Sequence, residues 1–213
     1  MSLDSLIGLI TALSPWEATA VLLGIAYLLL ASREHIACWV CAFFSTVIYT
    51  VLFWDSSLLM ESALNVYYMG MAVYGWLQWQ GRGSMVAATE QQDTSTLAIK
   101  TWTLRQHVIV IGIVVLLAAV SGAILGAYTD AAWPYVDSFT TWGAVVTTWM
   151  VAKKVLENWI YWFVIDAISI PLYIDRGLHL TAMLFCAYLV IVVFGYFSWR
   201  REYRQYDFTQ ATA

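Results

Sequence analysis

Residues 193–199 read VFGYFSW, and residues 73–79, lying 120 positions earlier, read VYGWLQW. Each has a glycine in third place and a tryptophan in last. Sliding the chain by the same 120 residues aligns Arg33–Trp79 with Lys153–Trp199 without a gap. Trp39 then meets Trp159, Phe43 meets Phe163, Leu52 meets Leu172 and Asp55 meets Asp175. Further along, Leu58 meets Leu178, Tyr68 meets Tyr188, Gly75 meets Gly195 and Trp79 meets Trp199. Apolar segments share composition, so matched leucines carry little weight. Matched Trp, Gly and Asp at one offset point to an internal duplication.

Composition says where the two copies reside. The 213 residues are 62% hydrophobic and 11% charged, with a mean hydropathy of +0.72. A soluble domain is about half apolar and about a quarter charged, so this is an integral membrane protein. A net charge of −4 provides no basic field for nucleic acid. Cys38 and Cys41 form a CxxC inside an apolar run, which reads as small packing residues, and with Cys186 they close no disulfide framework. The segment MSLDSLIGLITAL has no positive n-region, so an interfacial helix over 1–14 is expected rather than a cleaved signal.

A span needs about 20 mainly apolar residues. Seven fit: about Pro15–Ala31, Ile36–Trp54, Leu58–Trp79, Gln106–Tyr128, Ser138–Ala152, Val155–Ile174 and Leu178–Trp199. With seven spans, nine of the ten basic residues fall on one face, and the other receives only Arg176 among many acids. The positive-inside rule therefore predicts the N-terminus outside and the C-terminus in the cytoplasm. Residues 80–105 read as a flexible cytoplasmic loop and 200–213 as a cytoplasmic tail. Three-span repeats over 15–79 and 138–199 flank a linking span over 106–128, an all-α 3+1+3 arrangement. An odd linker makes the repeats parallel, which favours a transporter with its substrate site between the halves.

Intramembrane carboxylates are functional candidates because burial in lipid is costly. In ENWIYWFVID, residues 157–166, Asn158, Trp162 and Asp166 follow i, i+4, i+8 spacing, and Trp159 lies one position round. On the third span Glu61, Asn65 and Tyr68 share a face, with Tyr74 and Trp76 further down. Their repeat partners are bland: Asp166 aligns with Thr46, Asn158 with Cys38 and Asn65 with Phe185. Such a set suits one asymmetric ligand, with aromatic rings stacking a flat cation, Asp166 neutralising it and the two asparagines reading polar edges. Asp166 as a structural acid bonded to a nearby Tyr or Ser is the alternative. Glu157 reads as an interfacial salt bridge, and Trp54, Trp79 and Trp199 as belt residues at span ends. His35, His107 and His179 are isolated, so no metal or other cofactor is expected. No Walker A pattern and no hydrolase motif occurs.

Two segments carry a resemblance. ENWIYWFVID fits a pattern N-W-x-x-W-x-x-x-D at Asn158, Trp159, Trp162 and Asp166, and NVYYMGMAVYGWLQW at 65–79 fits Y-G-W-x-x-W at Tyr74, Gly75, Trp76 and Trp79. Both resemble the Pnu vitamin transporters. That resemblance implies a SWEET-like seven-span fold, a homotrimer in the bacterial inner membrane, and facilitated diffusion drawn forward by intracellular phosphorylation. It implies no enzyme activity. Nicotinamide riboside members usually carry Gln where this chain has Asn65, and the shorter amide turns the expectation towards thiamine, another planar cationic vitamin. Nicotinamide riboside is the alternative substrate. A non-transporting membrane vitamin sensor or intramembrane enzyme is the alternative of another class.

Overall fold

The computed structural model describes residues 14–55, 59–80, 97–129, 133–175, 177 and 179–212. The expected N-terminal interfacial helix and most of the loop after Gln80 lie outside these. Seven helices are described: α1 Pro15–Ser32, α2 Cys38–Asp55, α3 Leu59–Trp79, α4 Leu104–Tyr128, α5 Pro134–Ala152, α6 Asn158–Asp175 and α7 His179–Thr212. By length and composition, α1, α2, α4 and the Thr181–Gln205 stretch of α7 can cross a membrane. Helices α3, α5 and α6 are the more polar ones, and they carry every candidate site residue. The chain divides into two compact units, one up to Leu97 with α1–α3 and one from Ala98 with α4–α7.

In the first unit α2 packs against both α1 and α3. Apolar surface alone does not drive helices together in lipid, so close packing and interhelical hydrogen bonds must do so. Ser45 on α2 donates to the Ala20 carbonyl of α1 at 2.8 Å. Ser62 on α3 donates to the Thr50 carbonyl of α2 at 2.9 Å. The closest approach is at Gly75, where the Trp39 indole occupies the space a Cβ would need. Trp39 also meets Trp79 edge-on, with ring centroids 5.4 Å apart and planes at 84°.

The second unit repeats this contact. There α6 packs against α5 and α7, and α5 also against α4. Trp159 lies on Gly195, where an added Cβ would sit 2.6 Å from the ring. It meets Trp199 at 5.4 Å and 88°. Trp79 and Trp199 are 5% and 0% exposed, so the belt reading is corrected for both. Their indoles are held by helix packing and cannot sit in an interface. Trp54, at 65% exposed, keeps a position compatible with a belt.

The connectors match as well. After α1, Glu34 N–H bonds the Ala31 carbonyl at 3.0 Å and His35 N–H bonds the Leu30 carbonyl at 2.9 Å. After α5, Lys154 N–H bonds Val151 at 3.0 Å and Val155 N–H bonds Met150 at 3.0 Å. Each is a Schellman ending, with Glu34 (φ 54°) and Lys154 (φ 50°) in the left-handed position that glycine normally fills. Two non-glycine residues strained at the same offset show how closely the backbones correspond.

Helix α4 begins at Leu104, two residues before the expected start, because Thr103 and Gln106 form a reciprocal capping box. It presents Val114, Ala118 and Gly122 inward at i, i+4, i+8. A Cβ on Gly122 would lie 2.9 Å from the Tyr135 backbone of α5, and Trp142 Nε1 donates to Ser121 at 3.1 Å. Most of its other positions, among them Val108, Ile111, Val115 and Ile124, are exposed and suit lipid. Part of the expected flexible loop is docked: Lys100 pairs with Val155 as a parallel bridge, donating to the Lys154 carbonyl at 3.0 Å and accepting from Leu156 N–H at 2.8 Å. The expected tail is helical to Thr212, as residues 200–212 contain no Gly or Pro to end α7.

Gly75→Ala and Gly195→Ala are each expected to cost about 1–3 kcal/mol through overpacking, seen as a lower melting midpoint in detergent. Gly70→Ala, whose Cβ would meet nothing within 4 Å, is the control and should not lower it.

Candidate functional site

The polar stripe of α6 lies inside the second unit. Helical spacing places Asn158, Trp162, Asp166 and Ser169 along one face. Asn158, Asp166 and Ser169 are buried, whereas Ile160, Val164, Ala167 and Pro171 on the far side are exposed. Gly143 of α5 lets this part of α6 approach closely, since a Cβ there would be 3.1 Å from Ile165.

Asp166 is only 4% exposed and has no hydrogen bond or ion pair among the described residues. The buried hydroxyls of Ser169, Thr147 and Thr148 do not serve it. Ser169 donates to the Ile165 carbonyl at 2.8 Å, Thr147 to Gly143 at 2.7 Å and Thr148 to Ala144 at 2.8 Å. The reading of Asp166 as a structural acid satisfied by Tyr or Ser therefore finds no partner in this unit. An unpaired ionised carboxylate away from water costs several kcal/mol, which a cationic ligand would offset.

Asn158 is fully buried, its Nδ2 donates to the Val155 carbonyl at 2.7 Å, and its Oδ1 has no partner among the described residues. One end of the amide is thus used to shape the start of α6, and the acceptor end is left over. Trp162, midway between Asn158 and Asp166, is half-buried and joins no ring pair among the described residues. Its indole is thus partly accessible, at a helix position between two buried polar groups. Trp159 differs: its ring is taken up by Gly195 and Trp199, so it holds the unit together rather than lining an open face.

In the first unit Asn65 is buried, and Trp76, eleven residues on, falls on the same stripe of α3 and is half-buried. Tyr68 is half-buried and tilted against Tyr67, with centroids 5.7 Å apart. Tyr74, nine residues from Asn65, points to the opposite side of α3, since nine residues make about two and a half turns. The Glu61 side chain lies outside the described residues. Two groups result, each within its own unit: Asn158, Trp162 and Asp166 on α6, and Asn65, Tyr68 and Trp76 on α3.

The structure adds residues that spacing did not single out. Ser169 continues the α6 stripe three residues past Asp166, a position helical periodicity could have marked. His107 is not isolated, because its Nδ1 lies 2.9 Å from the Tyr161 hydroxyl. Glu157 accepts a hydrogen bond from the Trp102 amide at 3.2 Å, and Trp102 packs on Trp149 at 5.8 Å. These contacts fasten the segment before α4 to the start of α6. No local pattern could reveal pairs that lie 54 and 55 residues apart.

The comparisons agree with this architecture. A family model described as nicotinamide mononucleotide transporter matches residues 14–201. The riboflavin/roseoflavin transporter RibM of Streptomyces davaonensis is 26% identical over 179 residues, covering 84% of this chain and 81% of that protein. The nicotinamide riboside transporter PnuC of Escherichia coli is 20% identical over 206 residues, covering 89% and 86%. Among solved structures, the crystal structure of the vitamin B3 transporter PnuC shares the fold, with a TM-score of 0.71 at 22% identity over 94% of this chain and 87% of that one. The match runs from the cap of α1 to the end of the apolar part of α7, and the chain belongs to the nicotinamide mononucleotide transporter family of multi-pass membrane transport proteins.

Proposed function

We propose that this protein takes up a flat vitamin with a fixed positive ring charge, by facilitated diffusion through alternating access. One observation carries the reading: Asp166 is buried with no partner among the described residues, four positions along the same helix face from the half-buried Trp162. Trp162 would stack the ring, Asp166 would neutralise it, and Asn158 Oδ1 would take a polar edge. Asn65, Tyr68, Trp76 and Glu61 of α3 are the proposed substrate-binding residues of the first unit. Tyr74 belongs with them only if the ligand reaches the other side of α3, and Trp159 supports the α6 group from behind.

Thiamine and nicotinamide riboside both meet this description. Thiamine rests on the shorter amide of Asn65 alone, and none of the relatives named above is a thiamine transporter. Nicotinamide riboside has equal support, from the relative PnuC. A second reading, riboflavin, is favoured by the relative RibM, and its uncharged ring would leave Asp166 unused. The proposal also includes a 3+1+3 SWEET-like organisation, supported by the matching connectors and indole contacts. It includes a homotrimer in the bacterial inner membrane, the N-terminus outside and the C-terminus in the cytoplasm, and trapping by intracellular phosphorylation.

Uptake of each labelled vitamin into proteoliposomes tests the proposal. Net accumulation of thiamine or nicotinamide riboside down its gradient is expected. Binding without movement would instead indicate a sensor, and chemical change an enzyme. Preferential uptake of riboflavin would overturn the cation reading.

Asp166→Asn is expected to weaken binding of the cationic vitamin by about thirtyfold or more, as for removal of one partner from a buried charge pair. Tryptophan quenching titration measures it. The same substitution removes an unpaired buried carboxylate, so the ligand-free protein should melt at the same temperature or higher. Undiminished affinity, or a lowered melting midpoint, would remove Asp166 from the site.

A further inference from the structure

Helix α7 is held in register by the Trp159–Gly195–Trp199 contact, and three arginines follow immediately after Trp199. Spacings of three, one, three and four residues place Phe197, Arg200, Arg201, Arg204 and Phe208 within an arc of about 100° on one helix face. They line an open groove of about 600 Å³ together with Gln205. Arg201 and Arg204 are exposed, and Arg200 is steadied over the Tyr196 ring at 5.8 Å. None of the three arginines has an acidic partner among the described residues. Glu202 lies on the other side of the helix, about 200° from Arg200. Phe197 and Phe208, at 59% and 72% exposed, bracket the charges.

We propose that this face binds the headgroup phosphate of an anionic phospholipid at the membrane boundary. The charge is of the right sign, and no acid among the described residues pairs with it. The depth also fits. Arg200 to Arg204 rise about 6 Å along the axis, close to the roughly 5–8 Å thickness of one headgroup layer. Guanidinium groups bind phosphate oxygens in bidentate fashion, and basic residues next to a span are drawn to anionic lipid. Phe197 faces acyl chains below the charges. The site would anchor the end of α7 and, through Trp199, the packing of α6 on α7. It holds whichever vitamin is carried.

Energy transfer from the protein's tryptophans to dansyl-labelled lipid, in nanodiscs holding the full chain, tests it. Wild type should enrich dansyl phosphatidylglycerol over dansyl phosphatidylcholine. The enrichment should fall about fivefold for each of Arg200→Gln, Arg201→Gln and Arg204→Gln, while the corresponding Lys substitutions retain most of it. The melting midpoint of each variant establishes folding. Equal transfer from both lipids, or an undiminished preference in the Gln variants, would overturn the proposal. So would full displacement by excess inorganic phosphate, which would mark a soluble anion site, or by an acidic polypeptide, which would mark a protein-docking face.

Discussion

Both units depend on an indole laid against a glycine. Lipid is as apolar as a leucine side chain, so helices in it gain nothing from merely hiding apolar surface. What remains is contact at van der Waals distance, and that requires one helix to lack a side chain where the other presents a large flat one. Trp39 on Gly75 and Trp159 on Gly195 meet this condition, with Trp79 and Trp199 closing the edge of each ring. The hydroxyl-to-carbonyl bonds of Ser45 and Ser62 add direction to the first unit. The left-handed connectors at Glu34 and Lys154 then set where α2 and α6 begin.

On this shared frame the polar groups are unevenly distributed. Position 166 holds a buried carboxylate where the first repeat has Thr46, and Thr46 satisfies itself against the Ala42 and Phe43 carbonyls at 2.9 Å. Asn158 replaces Cys38 and leaves an acceptor unused. A stable apolar core would have no use for either change, since each leaves a polar group short of partners. That deficit, with the half-buried Trp162 midway between the two positions, is what the proposed ligand site rests on.

Several of these features were legible in the chain. Matched Trp, Gly and Asp at one offset marked the corresponding helices, and the i, i+4, i+8 spacing marked Asn158, Trp162 and Asp166. The roles of the aromatic residues were less legible. Trp79 and Trp199 stand at the ends of apolar runs, where belt residues also stand, and sequence cannot say whether an indole turns inward or outward. Trp159 and Trp162 are three residues apart on one helix, yet one is locked in packing and the other half-open.

Sequence by itself determined the membrane class, the seven helices and the polar stripe of α6, because hydropathy, helical period and repeat offset are local or linear properties. Only the tertiary structure decided which tryptophan holds the helices together, which buried acid lacks a partner among the described residues, and that Lys100, Trp102 and His107 fasten to the start of α6. Those facts depend on groups far apart in the chain. Whether a side chain is satisfied is settled by what another helix brings to it.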